Sequence, residues 1–132
     1  MDGLITYLNT DLDLVSAEDL SELAAALETL GVPPLHVGEG GDGRWHGTFE
    51  TTEHFDDVEP NVAAIVTAIE SLPPALRATW NACTLRELNA GYDCGDEPWA
   101  FQQGLSNAVL ARLAATGASF RITLYPARDE DA

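Results

Sequence analysis

Residues 4–10 read Leu4-Ile5-Thr6-Tyr7-Leu8-Asn9-Thr10, and how this run is taken decides the fold. β-Branched and aromatic side chains crowd it, which is strand chemistry. Ser16 and Asp19 then stand at capping-box spacing before Leu20, Leu23, Leu27 and Leu30, which recur along one helical stripe. Gly31 is a natural stop for that helix, and Pro33-Pro34 prevents it from resuming. A strand followed at once by a helix makes the chain α+β rather than all-β. On this reading Asp11 and Asp13 follow the strand, at the edge of the sheet where it ends.

Working outward, Leu35-His36-Val37 and residues 44–51 alternate in polarity around the glycine-rich turn 38–43, which predicts a hairpin. Val37, Trp45 and Phe49 share its core face, and His36, His46, Thr48 and Glu50 share the other. Pro60 opens a second helix with Val62, Ile65, Val66, Ile69 and Leu72 on one side, and Leu76 and Trp80 continue helical after Pro73-Pro74. Residues 84–93 form the next strand. Ser106 caps a further helix that packs Val109, Leu110 and Leu113 and ends at Gly117, and residues 119–125 form a last alternating strand.

The order β-α-β-β-α-β-α-β predicts a two-layer α+β fold. Its expected core is split βαβ (ferredoxin-like), extended by one αβ unit into a five-stranded mixed sheet with helices on one face. A chain of 132 residues is one domain with one core, here 1–126, followed by a polar, fraying tail at 127–132.

Composition narrows the chemistry. Six basic residues, all arginine, stand against 22 acids, for a net charge of −16. The absence of lysine removes Schiff-base catalysis and the phosphate-binding P-loop lysine. Residues 1–60 hold fourteen of the acids and only Arg44. Such a field repels phosphate backbones and anionic lipid, so nucleic-acid and membrane partners are not expected, and cations, basic protein surfaces and neutral ligands remain as partners. The sequence lacks an apolar window of membrane-spanning length and a signal pattern, so the expected location is cytoplasmic. Cys83 and Cys94 make no disulfide framework, and Cys83 reads as a small core residue.

Three phrases stand out together: residues 7–14 (YLNTDLDL), residues 92–101 (YDCGDEPWAF) and residues 121–126 (RITLYP). With them the chain, from about residue 4 to residue 126, resembles a family of small, acidic, uncharacterised bacterial proteins. The resemblance implies an α+β fold and a bacterial source. It implies no activity and carries over no catalytic residues.

The candidate chemistry lies mostly around the second phrase. Tyr92, Asp93, Cys94, Asp96, Glu97 and Trp99 place a thiol, carboxylates and rings in one short stretch. A Cys94 nucleophile is disfavoured, because Asp93, Asp96 and Glu97 oppose a thiolate. A divalent-metal reading draws Glu53 and His54 toward Asp93, Cys94, Asp96 and Glu97 at the shared end of the third and fourth strands, although no HxH, HExxH or CxxC spacing is present. His36 and His46, paired symmetrically across the turn, form a second candidate couple. The structural reading has Gly95 making a turn while Trp99 and Phe101 plug inward and the acids face water. A free sheet face lined by Tyr7, His36, His46, Arg86, Arg121, Thr123 and Tyr125 is the remaining candidate surface, covered by a second copy or a ligand.

The expected function is therefore a small non-catalytic binding module, homodimeric, without a cofactor. Its acidic half suits a basic partner, as in an immunity or inhibitor protein. The alternative is a metal-binding protein or hydrolase-like enzyme built on the 93–97 loop with His54.

Overall fold

The computed structural model describes residues 3–127, so the expected tail, apart from Ala127, lies outside the described residues. The elements are β1 (Thr6–Ser16), α1 (Ser21–Thr29), β2 (Pro34–Glu39), β3 (Trp45–Phe49), α2 (Val58–Glu70), α3 (Pro74–Ala82), β4 (Leu85–Asp93), α4 (Asn107–Ala115) and β5 (Ser119–Tyr125). They form an α+β fold around one open five-stranded sheet ordered β2-β3-β1-β4-β5. β1 lies antiparallel to both β3 and β4, β2 is antiparallel to β3, and β5 joins parallel to β4. That parallel pair needs a crossover, which α4 provides.

The first strand is longer than the sequence predicts. It runs through Asp11 and Asp13 to Ser16, so these carboxylates lie within the central strand, not beyond it. Ser16 accordingly caps no helix; its hydroxyl oxygen accepts the Glu18 amide in a turn (3.0 Å), and α1 begins only at Ser21. Leu20, Leu23 and Leu27 of the expected stripe are fully buried.

A register shift at Leu8 sets the two faces of β1. Tyr7 pairs with Tyr92, but Asn9, not Leu8, pairs with Gly91. An extra residue of this kind reverses side-chain alternation, because strand side chains have a period of two. Tyr7 therefore joins Thr10, Leu12, Leu14 and Ser16 on the buried side. This overturns its expected place on the free face. The Tyr7 hydroxyl donates to Asn61 Oδ1 of α2 (2.6 Å) and accepts from the Thr10 hydroxyl (2.5 Å). The same Asn61 oxygen accepts the Thr10 amide (3.0 Å). Burial pushes the Tyr7 phenol up to about 12, so it stays neutral and keeps its proton for Asn61.

The hairpin also departs from symmetry. Val37 faces Gly47 and Gly38 faces His46, so His36 lies opposite Thr48 rather than His46. The turn is organised by Asp42, whose carboxylate accepts the Arg44 amide (3.0 Å), and by Gly43, whose φ of 78° suits glycine. Gly47 leaves room for the Phe49 ring, which an added Cβ would approach to 2.8 Å.

α2 packs on β1, α1 on β2, α4 on α2 and α3 on α1. Val62, Ile65, Val66, Ile69 and Leu72 of the second helical stripe are buried, each such side chain contributing roughly 2 kcal/mol through desolvation. Asp57 caps α2 and Ser106 caps α4, the latter accepting the Val109 amide (3.3 Å). Trp80 is wholly buried and its indole donates to the Thr116 carbonyl (2.7 Å), tying α3 to the end of α4.

Arg86 corrects a second expectation about the free face. It pairs with Leu14 and therefore sits on the helix side. Its guanidinium donates to the carbonyls of Trp80, Asn81 and Cys83 at the end of α3, and to Gly117. It is a helix C-terminal cap in effect. Cys83 is buried beside it, as expected of a core thiol.

Candidate binding site

β5 carries alternating apolar residues on the helix side of the sheet, yet only its start is covered there. Phe120 packs against the core, whereas Ile122 and Leu124 are 58% and 63% exposed. The segment after β4 arches over the neighbouring strand and leaves a cavity of about 420 Å³ against them, lined by Ile5, Tyr92, Cys94, Gly95, Phe101, Gln103, Ile122 and Leu124. A second depression of about 240 Å³ shares Tyr92, Gln103 and Ile122 and extends the trough to Leu105, Leu110 and Phe120.

The arch is held by backbone chemistry that the residue types do not announce. The Asp96 and Glu97 amides donate to the Gly3 carbonyl (2.9 and 3.1 Å), and the Ile5 amide donates to the Glu97 carbonyl (2.8 Å). Gly95 serves a close approach to this N-terminal segment, since an added Cβ would stand 2.1 Å from the Gly3 oxygen. Pinned at Glu97, the chain throws Pro98, Trp99 and Ala100 outward. Trp99 is 99% exposed, the opposite of the expected plug. Phe101 does turn inward and meets the Tyr92 ring edge-on at 6.0 Å, while Tyr92 contacts Tyr7 at 5.3 Å.

Gln103 fixes the floor. Its Oε1 accepts the Tyr92 hydroxyl (3.0 Å) and the Val58 amide at the start of α2 (3.2 Å). Cys94, half-buried, donates its amide to the Tyr125 carbonyl (2.9 Å) and lines the cavity. Asp96 and Glu97 are exposed, as expected, and Asp93 ends β4 opposite Thr6 and Tyr125.

The metal arrangement does not assemble. His54 pairs with Asp56 (3.2 Å) on an exposed loop, and among the described residues no three His, Cys, Asp or Glu side chains come together as metal ligands. Nor do His36 and His46 face each other across the hairpin; His46 Nε2 engages the Asp42 carboxylate (3.0 Å) instead.

The other side of the sheet carries a run of carboxylates among the residues expected there. Asn9 Nδ2 donates to both Asp11 Oδ1 (2.7 Å) and Glu50 Oε2 (2.8 Å), bridging β1 to the end of β3. Thr48 donates to Asp13 (3.1 Å) and Arg121 to Glu87 (2.8 Å). Burial, with repulsion from Asp13 and Glu50, pushes Asp11 up to about 6; the Asn9 bond opposes the shift. Asp13 is raised as well, chiefly by burial. Of the residues expected on this face, Arg121, Thr123, His36 and His46 are there, and Tyr125 stands beside them, exposed, near Gly91.

Sequence reasoning passed over Ile5, Gln103, Ile122 and Leu124 as site residues. A signal was present: residues 98–128 contain no Asp or Glu, in a chain with 22 acids. The trough and the exposed Trp99 coincide with that run. Among the described residues no helix is long and apolar enough to cross a membrane. No family model, curated protein or solved structure matches the chain.

Proposed function

We propose that the chain is a small binding module that works without catalysis, and that the trough beside β5 is its binding surface. The observation that carries this reading is the cavity of about 420 Å³, whose lining is apolar apart from the hydrogen-bonded Tyr92 hydroxyl and Gln103 and the Cys94 thiol, and includes no charged side chain. A concave, mostly apolar site with one or two polar groups is the usual form of a binding pocket. It supplies shape and desolvation, and its lining holds no acid–base pair to drive a reaction. The strand order β4-β1-β3-β2 supports the split βαβ (ferredoxin-like) reading of the core, to which β5 and the trough are the addition.

A neutral solvatochromic dye tests this in dilute solution. Wild-type protein is expected to take up the dye with a blue-shifted emission. Leu124→Glu, at an exposed position, folds and loses that uptake. Equal uptake by the two proteins, or none by either in the monomeric state, contradicts the proposal.

A second surface is favoured by the Asn9-bridged carboxylates Asp11 and Glu50 with Asp13 and Glu87, which suit a basic protein partner. Binding there would weaken steeply with salt and would survive Leu124→Glu.

A further inference from the structure

Resting on the binding role of the trough, we propose that its occupant is a second copy of this chain, with Trp99 of each protomer seated in the trough of the other. A two-fold dimer requires that if one feature meets a second, the second meets the first. This molecule carries both features side by side. Trp99 projects fully into water, and Phe101, two residues on, lines the cavity with Tyr92, Ile122 and Leu124. A covered indole removes about 150–250 Å² from water, and a buried aromatic anchor in a pocket is the usual centre of an interface.

Charge narrows where a copy of the chain can meet its partner. Two molecules of net charge −16 repel, and they approach best where neither presents a carboxylate. Residues 98–128 are the longest stretch without Asp or Glu, and they supply Trp99, Phe101, Ile122 and Leu124, with the exposed Asp96 and Glu97 just before them. A basic partner gains no ion pair from an uncharged trough, and an anionic membrane meets the field of the whole molecule.

The edge strands point the same way. Edge strands are normally blunted by proline, bulges or charge. β2, at one edge of the sheet, has Pro34 and a register shift, whereas β5, at the other, has neither proline nor bulge and a single charge, Arg121. A standard interface takes about 800 Å² from each partner, roughly a tenth of the 7478 Å² surface here.

Sedimentation velocity over a concentration series tests the proposal, with dye uptake measured on the same samples. Wild-type protein is expected to reach twice the 14.1 kDa chain mass. Trp99→Ala and Leu124→Glu each weaken association about tenfold or more. Neither position is buried, so both variants fold, and the Trp99→Ala monomer, its trough vacated, takes up the neutral dye better than the wild-type dimer. Wild-type protein that stays monomeric but binds dye through Leu124 overturns the second copy and leaves the binding trough standing. A monomer that binds no dye overturns both. A dimer indifferent to Trp99→Ala overturns the proposal as well.

Discussion

Tyr7 shows how a single side chain can be assigned to the wrong side of a sheet. Its sequence context is that of any strand aromatic, and simple alternation puts it in water opposite the helices. One extra residue at Leu8 turns it into the core, where its hydroxyl bonds to Asn61 and Thr10. Tyr7→Phe should lower unfolding stability by about 1–2 kcal/mol in urea titrations, since it removes one of two hydrogen bonds to Asn61 Oδ1 and leaves the Thr10 hydroxyl without its acceptor. Asp11 gives a prediction of opposite sign. Its folded-state pKa is raised from 3.8 to about 6, so the proton it holds stabilises the fold fully below 3.8, and that contribution is lost as pH rises through about 6. Wild-type melting temperature should therefore rise as pH falls from 7 toward 5. Asp11→Asn should melt higher than wild type at pH 7 and show a flatter profile; an unchanged or lower midpoint would contradict the role given to Asp11.

Among the elements, those with strong helical period were legible and those governed by backbone contacts were not. Val62, Ile65, Val66 and Ile69 announce α2 because only a helix gathers that spacing on one side, and all four are buried. Val37, Trp45 and Phe49 likewise fall on the expected core face of the hairpin. By contrast, Asp11-Leu12-Asp13-Leu14 has the period of a strand, but acidic residues mimic a loop, and β1 was cut short. The 94–101 arch failed for a different reason. Hydrophobicity argues for buried rings, and the Gly3 carbonyl that pins Asp96 and Glu97 and expels Trp99 has no signature in residue type. Gly95→Ala tests that anchor. Its Cβ would overlap the Gly3 carbonyl, so hydrogen exchange at the Ile5, Asp96 and Glu97 amides should accelerate together while α2 amides keep their protection. Protection unchanged at all three amides would remove the anchor.

The whole molecule is organised by where its acids are absent. Acid fills the N-terminal half and the free sheet face, while residues 98–128 and the trough they help to build are clear of it. The imbalance between the two halves was plain in the sequence; that the acid-free run covers exposed apolar residues required the fold, because Ile122 and Leu124 have the spacing of core positions. Self-association driven by apolar burial and opposed by net charge responds to salt in the reverse sense of an ion-paired complex. Raising ionic strength should tighten the dimer, because screening weakens the repulsion between the acidic halves and leaves the trough contact untouched. A dimer that loosens with salt would mean that opposite charges pair across the contact, and would contradict a contact through the trough.

Backbone amide chemical shifts, followed while the protein is diluted, test the binding surface most directly. Shifts that move with concentration should cluster in residues 92–105 and in β5, with the Trp99 indole among the largest, while Asp11, Asp13 and Glu50 stay still. Movement centred on those three acids, or no concentration dependence anywhere, would contradict self-association through the trough.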